Sequence, residues 1–215
     1  MKGSNLLKEG NIEISNKNYK KALELFSEAS ELGNYFATYN LGCMYYFGDG
    51  VDKDLKKSFE CFLLASNQGD PEATNRLAAF YEEGIGTDKN INKAFEYYDK
   101  SANMNSLSGM ANLANCYLIG KGTNQDVKLG LEWMDKASKK GNGIASLEMA
   151  SYYRDGKYVE KDIEKAISYL WLGHKQKYQP AIYELARFYR EGIGLPKDEV
   201  KAKKLEKYAD KIVID

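Results

Sequence analysis

Tyr81-Glu82-Glu83-Gly84-Ile85-Gly86 returns almost unchanged as Tyr189-Arg190-Glu191-Gly192-Ile193-Gly194. Gly120 and Gly156 keep the phase between these hexapeptides and Gly48 keeps it before them, so five glycines stand 36 residues apart. The register around them holds too. Tyr45, Tyr81, Tyr117, Tyr153 and Tyr189 precede the glycines by three, and Leu41, Leu77, Leu113, Met149 and Leu185 by seven. Asp54, Asn90, Asp126, Asp162 and Asp198 follow by six. A period sustained this long marks an array of stacked supersecondary units rather than one closed core. Such an array acts through a long surface more readily than through a catalytic cleft.

Each period reads as helix, loop, helix. In the second unit the first helix is expected over Tyr35 to Phe47, with Ala37, Leu41 and Tyr45 at helical spacing. Gly48 should stop it in the left-handed conformation, and Asp54 should cap the next helix, whose apolar side carries Phe59, Phe62 and Ala65. Gly69 closes that helix, and Asp70-Pro71 opens the following one, where proline suits a first helical turn. Gly42, Ala78, Ala114, Ala150 and Ala186 let first helices approach their neighbours closely, and Lys57-Ser58, Lys93-Ala94, Lys165-Ala166 and Lys201-Ala202 hold one register on the second helices. Tyr158 replaces a loop glycine in the fifth unit, and Leu129-Gly130 replaces Lys-Ala in the fourth. The first unit keeps the register only through Lys21-Ala22, Phe26, Ala29 and Gly33; its turn is the shorter one of a 34-residue repeat. The last helix is expected over Asp198 to Ile212.

Ala37, Leu41-Gly42, Tyr45, Gly48-Asp49-Gly50, Asp54, Lys57-Ser58, Phe62 and Gly69 match, in order, the pattern of the Sel-one-like repeat family, a relative of the tetratricopeptide repeat. The resemblance covers nearly the whole chain. Residues 1–34 resemble a tetratricopeptide-like unit, and 35–215 five Sel-one-like units ending in a polar capping helix. It implies an all-α, right-handed superhelical solenoid of about six helix-turn-helix repeats, twelve helices in all, with first helices lining a concave inner face. Secreted relatives carry cysteine pairs joining successive units, and some are linked to penicillin binding. Here Ser66, Ala102 and Ser138 stand at those places, so that function does not carry over.

The totals narrow the partners. Among 215 residues, 31 basic and 31 acidic side chains leave no net charge, so neither nucleic acid nor an anionic membrane is favoured. Cys43, Cys61 and Cys116 are a poor disulfide framework and suit a reducing compartment. Met1 to Glu13 holds no signal-like apolar run, and no stretch has the length of a membrane span. A cytoplasmic protein is expected, monomeric unless ends stack through an apolar tail such as Ile212-Val213-Ile214.

The motifs that could carry chemistry are weak. The Gly-x-Gly loops lack the lysine-hydroxyl pair of a phosphate cradle and read as helix stops. His174 is the sole histidine, near a helix end, and no Cys/His spacing suits zinc. The C-terminal lysines alternate with Glu199, Glu206 and Asp210, as on a solvated cap. An enzyme would need an inner-face acid or base such as Glu148 or Glu184. No catalytic residue, metal or cofactor is assigned.

The surface residues say more. All four arginines, Arg76, Arg154, Arg187 and Arg190, fall on first helices. They read either as anchors for an acidic partner or as internal partners, since Glu184-Arg187 and Arg187-Glu191 have helical spacing. Phe36, Tyr39, Asn40, Tyr46 and Phe47 give the second unit an aromatic face: an interface, or a seal against the first unit. Asn40, Asn75 and Asn112 could clamp a peptide backbone, although they do not all share one register. The sequence therefore points to a non-enzymatic scaffold binding a protein or peptide through these residues, an acidic one where the arginines act as anchors. The alternative is a bacterial immunity protein neutralising a cognate toxin.

Overall fold

The computed structural model describes residues 2–212. Among them there are twelve helices and no strand: α1 (Lys2–Ser15), α2 (Tyr19–Glu31), α3 (Tyr35–Phe47), α4 (Leu55–Asn67), α5 (Pro71–Glu83), α6 (Ile91–Asn103), α7 (Leu107–Ile119), α8 (Val127–Lys140), α9 (Gly143–Asp155), α10 (Ile163–Lys175), α11 (Gln179–Glu191) and α12 (Glu199–Ala209). The fold is all-α, six helix-turn-helix repeats. Within each of the last five, the turn is seven residues long; α1 and α2 are joined by only three.

The turn chemistry follows the sequence. Gly48 caps α3 at φ 83°, where an L side chain would be strained, and Asp54 accepts from the Lys57 amide at the start of α4. Asp70 accepts from the amides of Glu72 and Ala73, with Pro71 in the first turn of α5. The second loop glycine has a different task. A Cβ at Gly86 would stand 2.1 Å from the Leu55 carbonyl oxygen, so the loop lies directly on the start of α4. This is close packing between backbones, not a phosphate cradle. Tyr158 occupies the equivalent place and adopts φ 67° despite its side chain, its ring set edge-on to Tyr152. Asp198 lies outside α12 as its N-cap, and the helix ends at Ala209 rather than reaching Ile212, because Lys211 and Ile212 turn back to donate to the Tyr208 and Ala209 carbonyls. Of the expected apolar tail, Val213 and Ile214 lie outside the described residues.

The chain divides into two compact units: unit 1 is Met1–Gly109 with Lys121–Asn124, and unit 2 is Met110–Gly120 with Gln125–Asp215. In unit 1, Phe26, Ala29, Ala37, Leu41 and Met44 form one buried cluster, and Phe62, Ala65, Ala73, Leu77 and Phe80 another. Small residues set the helix spacing as expected. A Cβ at Gly42 would stand 2.9 Å from the Phe62 ring, and the Ser58 hydroxyl donates to the Gly42 carbonyl at 2.7 Å. In unit 2 the core gathers Ala150, Ala166, Leu170, Leu185 and Phe188. The leucine register is buried, but the tyrosine register is only half-buried. Its rings lie at the margin, where Lys57, Lys93, Lys165 and Lys201 of the second helices sit 5.1–5.4 Å from the centroids of Tyr45, Tyr81, Tyr153 and Tyr189. Successive repeats are also tied by hydroxyl pairs: Ser30 with Thr38 and Ser66 with Thr74 in unit 1, and Ser138 with Ser146 in unit 2, at 2.7–2.8 Å.

Candidate functional site

The exposed face of α3 carries Phe36, Asn40, Cys43 and Phe47 at spacings of four, three and four, one stripe of a helix. The same stripe on α5 is Glu72, Arg76, Ala79 and Glu83. Phe36 is 54% exposed and Phe47 68%, so neither seals a joint. Phe36 rests against Tyr35, and Phe47 meets Tyr46 edge-on at 5.0 Å. A cleft of about 110 Å³ lies between the two stripes. Phe62 and Phe80, both buried, close its floor; Tyr46, Phe47 and Ile85 wall it; Arg76 and Glu83 stand at its edges. Tyr39 packs edge-on against Phe62 and accepts a hydrogen bond from Arg76 Nε at 3.4 Å. Burial pushes the Cys43 thiol and the Tyr39 phenol up from their ordinary values, opposed by the Arg76 cation.

Asn40 donates to the Asn11 side chain of α1 at 3.1 Å, a bond within unit 1. Asn75 is half-buried on α5, one position before Arg76, and Asn112 is half-buried in unit 2 at the register of Asn40.

The corresponding face of unit 2 is a network of charges. Arg154 grips Asp155 through two bonds of 2.7 and 2.6 Å and reaches Glu184 at 2.5 Å. Arg187 holds the same Glu184 at 2.9 and 2.6 Å and Glu191 at 3.1 Å. Arg190 binds Glu199 at 3.3 Å and Glu206 at 2.7 Å of α12. The internal pairing that the spacing of Glu184, Arg187 and Glu191 allowed is therefore present. The Arg187 and Arg154 hydrogen bonds hold the Glu184 carboxyl below its ordinary range, despite burial. Glu148, one repeat earlier at the same register, is pushed up instead: burial dominates, opposed by hydrogen bonds from Tyr152 (3.4 Å) and Asn115.

These arrangements bear on chemistry. A carboxylate clamped by two guanidiniums is a poor proton acceptor at neutral pH, so Glu184 is not an acid-base candidate. Among the described residues no group of three or more His, Cys, Asp or Glu side chains is placed to hold a metal ion. The three cysteines are free thiols, and burial pushes Cys61 up to about 11, away from the reactive thiolate. His174 lies between Trp171 and Tyr208, each ring centroid 5.2 Å away. No described helix is long and apolar enough to cross a membrane.

Which of the expected residues come together is now clear. Tyr46, Phe47 and Arg76 line one cleft, Tyr39 is joined to it through its bond from Arg76, and Phe36 and Asn40 lie along its stripe. Arg154 and Arg187 meet over Glu184, and Arg190 reaches α12. Periodicity gave no sign of Phe62, Phe80 or Ile85 as cleft residues, nor of Asn11. Phe62 and Phe80 belong to the buried core of their own repeats, Ile85 sits in the turn after α5, and Asn11 lies in the repeat where the register lapses.

The Sel1 repeat profile matches residues 6–34, 36–70, 71–106, 107–142, 144–170 and 179–205. Among solved structures, a Sel1 repeat protein from Oxalobacter formigenes superposes with TM-score 0.85 at 27% identity, over 95% of this chain and 83% of that one. The protective antigen c5321 of uropathogenic Escherichia coli, which displays an SLR fold, gives TM-score 0.79 at 24% identity, over 97% of this chain and 45% of its own. Immunity protein Pa5087 from Pseudomonas aeruginosa gives 0.63 at 26% identity, over 89% and 72%. No functionally curated protein matches the chain in sequence.

Proposed function

The chain belongs to the Sel1 repeat family, whose members generally serve as protein-interaction scaffolds, and from that premise we propose that it is a non-enzymatic adaptor whose main docking surface is the first-helix face of unit 1. One observation carries the reading. Phe36 and Phe47 stay more than half exposed on one stripe, beside a cleft floored by buried aromatics and edged by a cation. Large apolar side chains held open around a formed cleft carry the free-energy cost of apolar hydration in the free protein, and that cost is relieved when a partner covers them. Tyr39, Tyr46 and Phe47 act as anchors; Arg76, Asn40 and Asn75 frame them. Asn112, Arg154, Arg187 and Arg190 contribute more weakly, because a partner must compete with the carboxylates those arginines already hold. The free thiols fit a reducing, cytoplasmic setting for a monomer that binds neither nucleic acid nor membrane. The test is capture from the native host's lysate, read by mass spectrometry. A partner retained by wild type and lost by Phe36→Ala/Phe47→Ala supports the reading; equal retention rejects this face.

A second reading has its own support in the likeness to immunity protein Pa5087. As an immunity protein the chain would neutralise a cognate toxin through the same face. Co-expression with a toxin encoded beside it should restore growth, and no rescue by the wild-type chain would reject this role.

A further inference from the structure

We propose that the cleft between α3 and α5 takes an internal acidic-aromatic segment of a partner protein. One large apolar side chain would insert over Phe62 and Phe80, with an Asp or Glu within two residues of it held by Arg76. This rests on the reading of that face as the docking surface and specifies its occupant.

Size excludes a free cofactor. At about 110 Å³ the cleft is well under the roughly 300 Å³ at which small-molecule sites begin, yet it is open to a single inserted side chain. Its lining selects an apolar one: Phe62 and Phe80 are 2% and 3% exposed, and Ala79 leaves the room a larger residue would fill.

Charge selects the neighbour. Among the described residues Arg76 is the one arginine in no ion pair with a carboxylate. Its hydrogen bond is a long one, from Nε to the neutral Tyr39 hydroxyl, which leaves both terminal nitrogens for a carboxylate fork. Glu83 also lines the cleft and repels a second negative charge there; Glu72, one turn before Arg76, already accepts from the Ser106 hydroxyl at 2.6 Å, so the partner's acid is placed against Arg76. Continuity selects an internal segment rather than a chain end. Phe36 stands eleven residues before Phe47 on the same stripe, about 16 Å along the helix. A chain covering both passes Arg76 instead of stopping there.

The experiment pans a displayed library of random dodecapeptides on the purified 215-residue chain. Enriched sequences are then synthesised and measured by fluorescence anisotropy against wild type, Arg76→Gln and Phe36→Ala/Phe47→Ala, each first shown to keep the wild-type thermal midpoint. The expected consensus is an aromatic or leucine with Asp or Glu within two positions. Changing that acid to its amide should weaken binding about tenfold to wild type and less than about twofold to Arg76→Gln. Amidating the peptide C-terminus should change nothing. No enrichment, or a consensus without an acid, overturns the inference, and so does an acid effect that survives Arg76→Gln or a loss on C-terminal amidation. If acid-free peptides still depend on Phe36 and Phe47, the docking face stands and only its chemistry is wrong. Binding indifferent to both variants removes the face as well.

Discussion

Unit 1 and unit 2 present the same helix register with opposite electrostatic habits. At the position eight before the phase glycine, unit 1 has Arg76 beside an open aromatic cleft, whereas unit 2 has Glu184 enclosed by Arg154 and Arg187. The difference shows where a partner can gain. Exposed ion pairs contribute little to begin with, and a newcomer must displace a carboxylate already in place. Exposed phenylalanines have no such prior partner, and covering one releases about 25 cal/mol per Å² of apolar surface. Repetition of the scaffold therefore does not imply repetition of the surface it presents.

The comparison breaks first at the aromatic stripe. Phe36→Ala/Phe47→Ala should weaken partner binding by about a hundredfold or more, the scale of two interface hot spots, whereas Arg187→Gln should change it by less than about threefold. Isothermal titration with the captured partner decides, and a larger effect from Arg187 would invert the assignment. Next comes the loop. Gly86→Ala should cost unit 1 about 3 kcal/mol in denaturant unfolding, since its Cβ would meet the Leu55 carbonyl oxygen while the backbone keeps a positive φ. Tyr158→Gly, at the same place in unit 2, should fall within about 1 kcal/mol of wild type, as relief of strain offsets the lost contact with Tyr152.

The third test sharpens the comparison inside unit 2. Glu184→Gln should destabilise it by about 1–2 kcal/mol at neutral pH, intermediate between an exposed and a buried pair. Because the folded Glu184 is held below its unfolded range, this contribution exists above the unfolded pKa and fades as pH falls toward the folded one. Glu148 has the opposite sign. Its folded carboxyl is pushed up, so the ionised form opposes folding at neutral pH and that penalty disappears in acid. Glu148→Gln should thus raise the thermal midpoint at pH 7 and leave it unchanged near pH 4; a fall at pH 7 would mean that the hydrogen bonds outweigh burial. The smallest effect is expected at Lys177, exposed at φ 57° where three other repeats carry Gly33, Gly69 and Gly141 and a fourth Asn105. Lys177→Gly should add up to about 1 kcal/mol, read from the urea midpoint.

The repeat grammar was legible because it is local. Tyr35–Phe47, the Gly48 stop and the Asp54 cap depend on residues within one turn of each other, so spacing alone reports them. α12 was expected to be longer than it is, since lysine-rich composition carries no stop signal of its own. The site was half legible. Phe47 and Arg76 could be placed on one first-helix face, but the bond between Arg76 and Tyr39 joins residues 37 apart and depends on rotamers that period does not encode. Asn40 was read as a clamp because its register was visible; its bond to Asn11 was not, since α1 does not follow that register. The even spread of positive and negative charge likewise hid the fact that carboxylates satisfy three arginines and leave the fourth to a phenol.

The hydroxyl pairs have a mechanical consequence. Ser66 with Thr74 and Ser138 with Ser146 fasten successive repeats by hydrogen bonds and no covalent link. A joint closed by two hydroxyls needs no oxidant to form and no reductant to open. Stretched end to end, each unit should yield repeat by repeat at low force and recoil unaided, more a spring than a stapled rod.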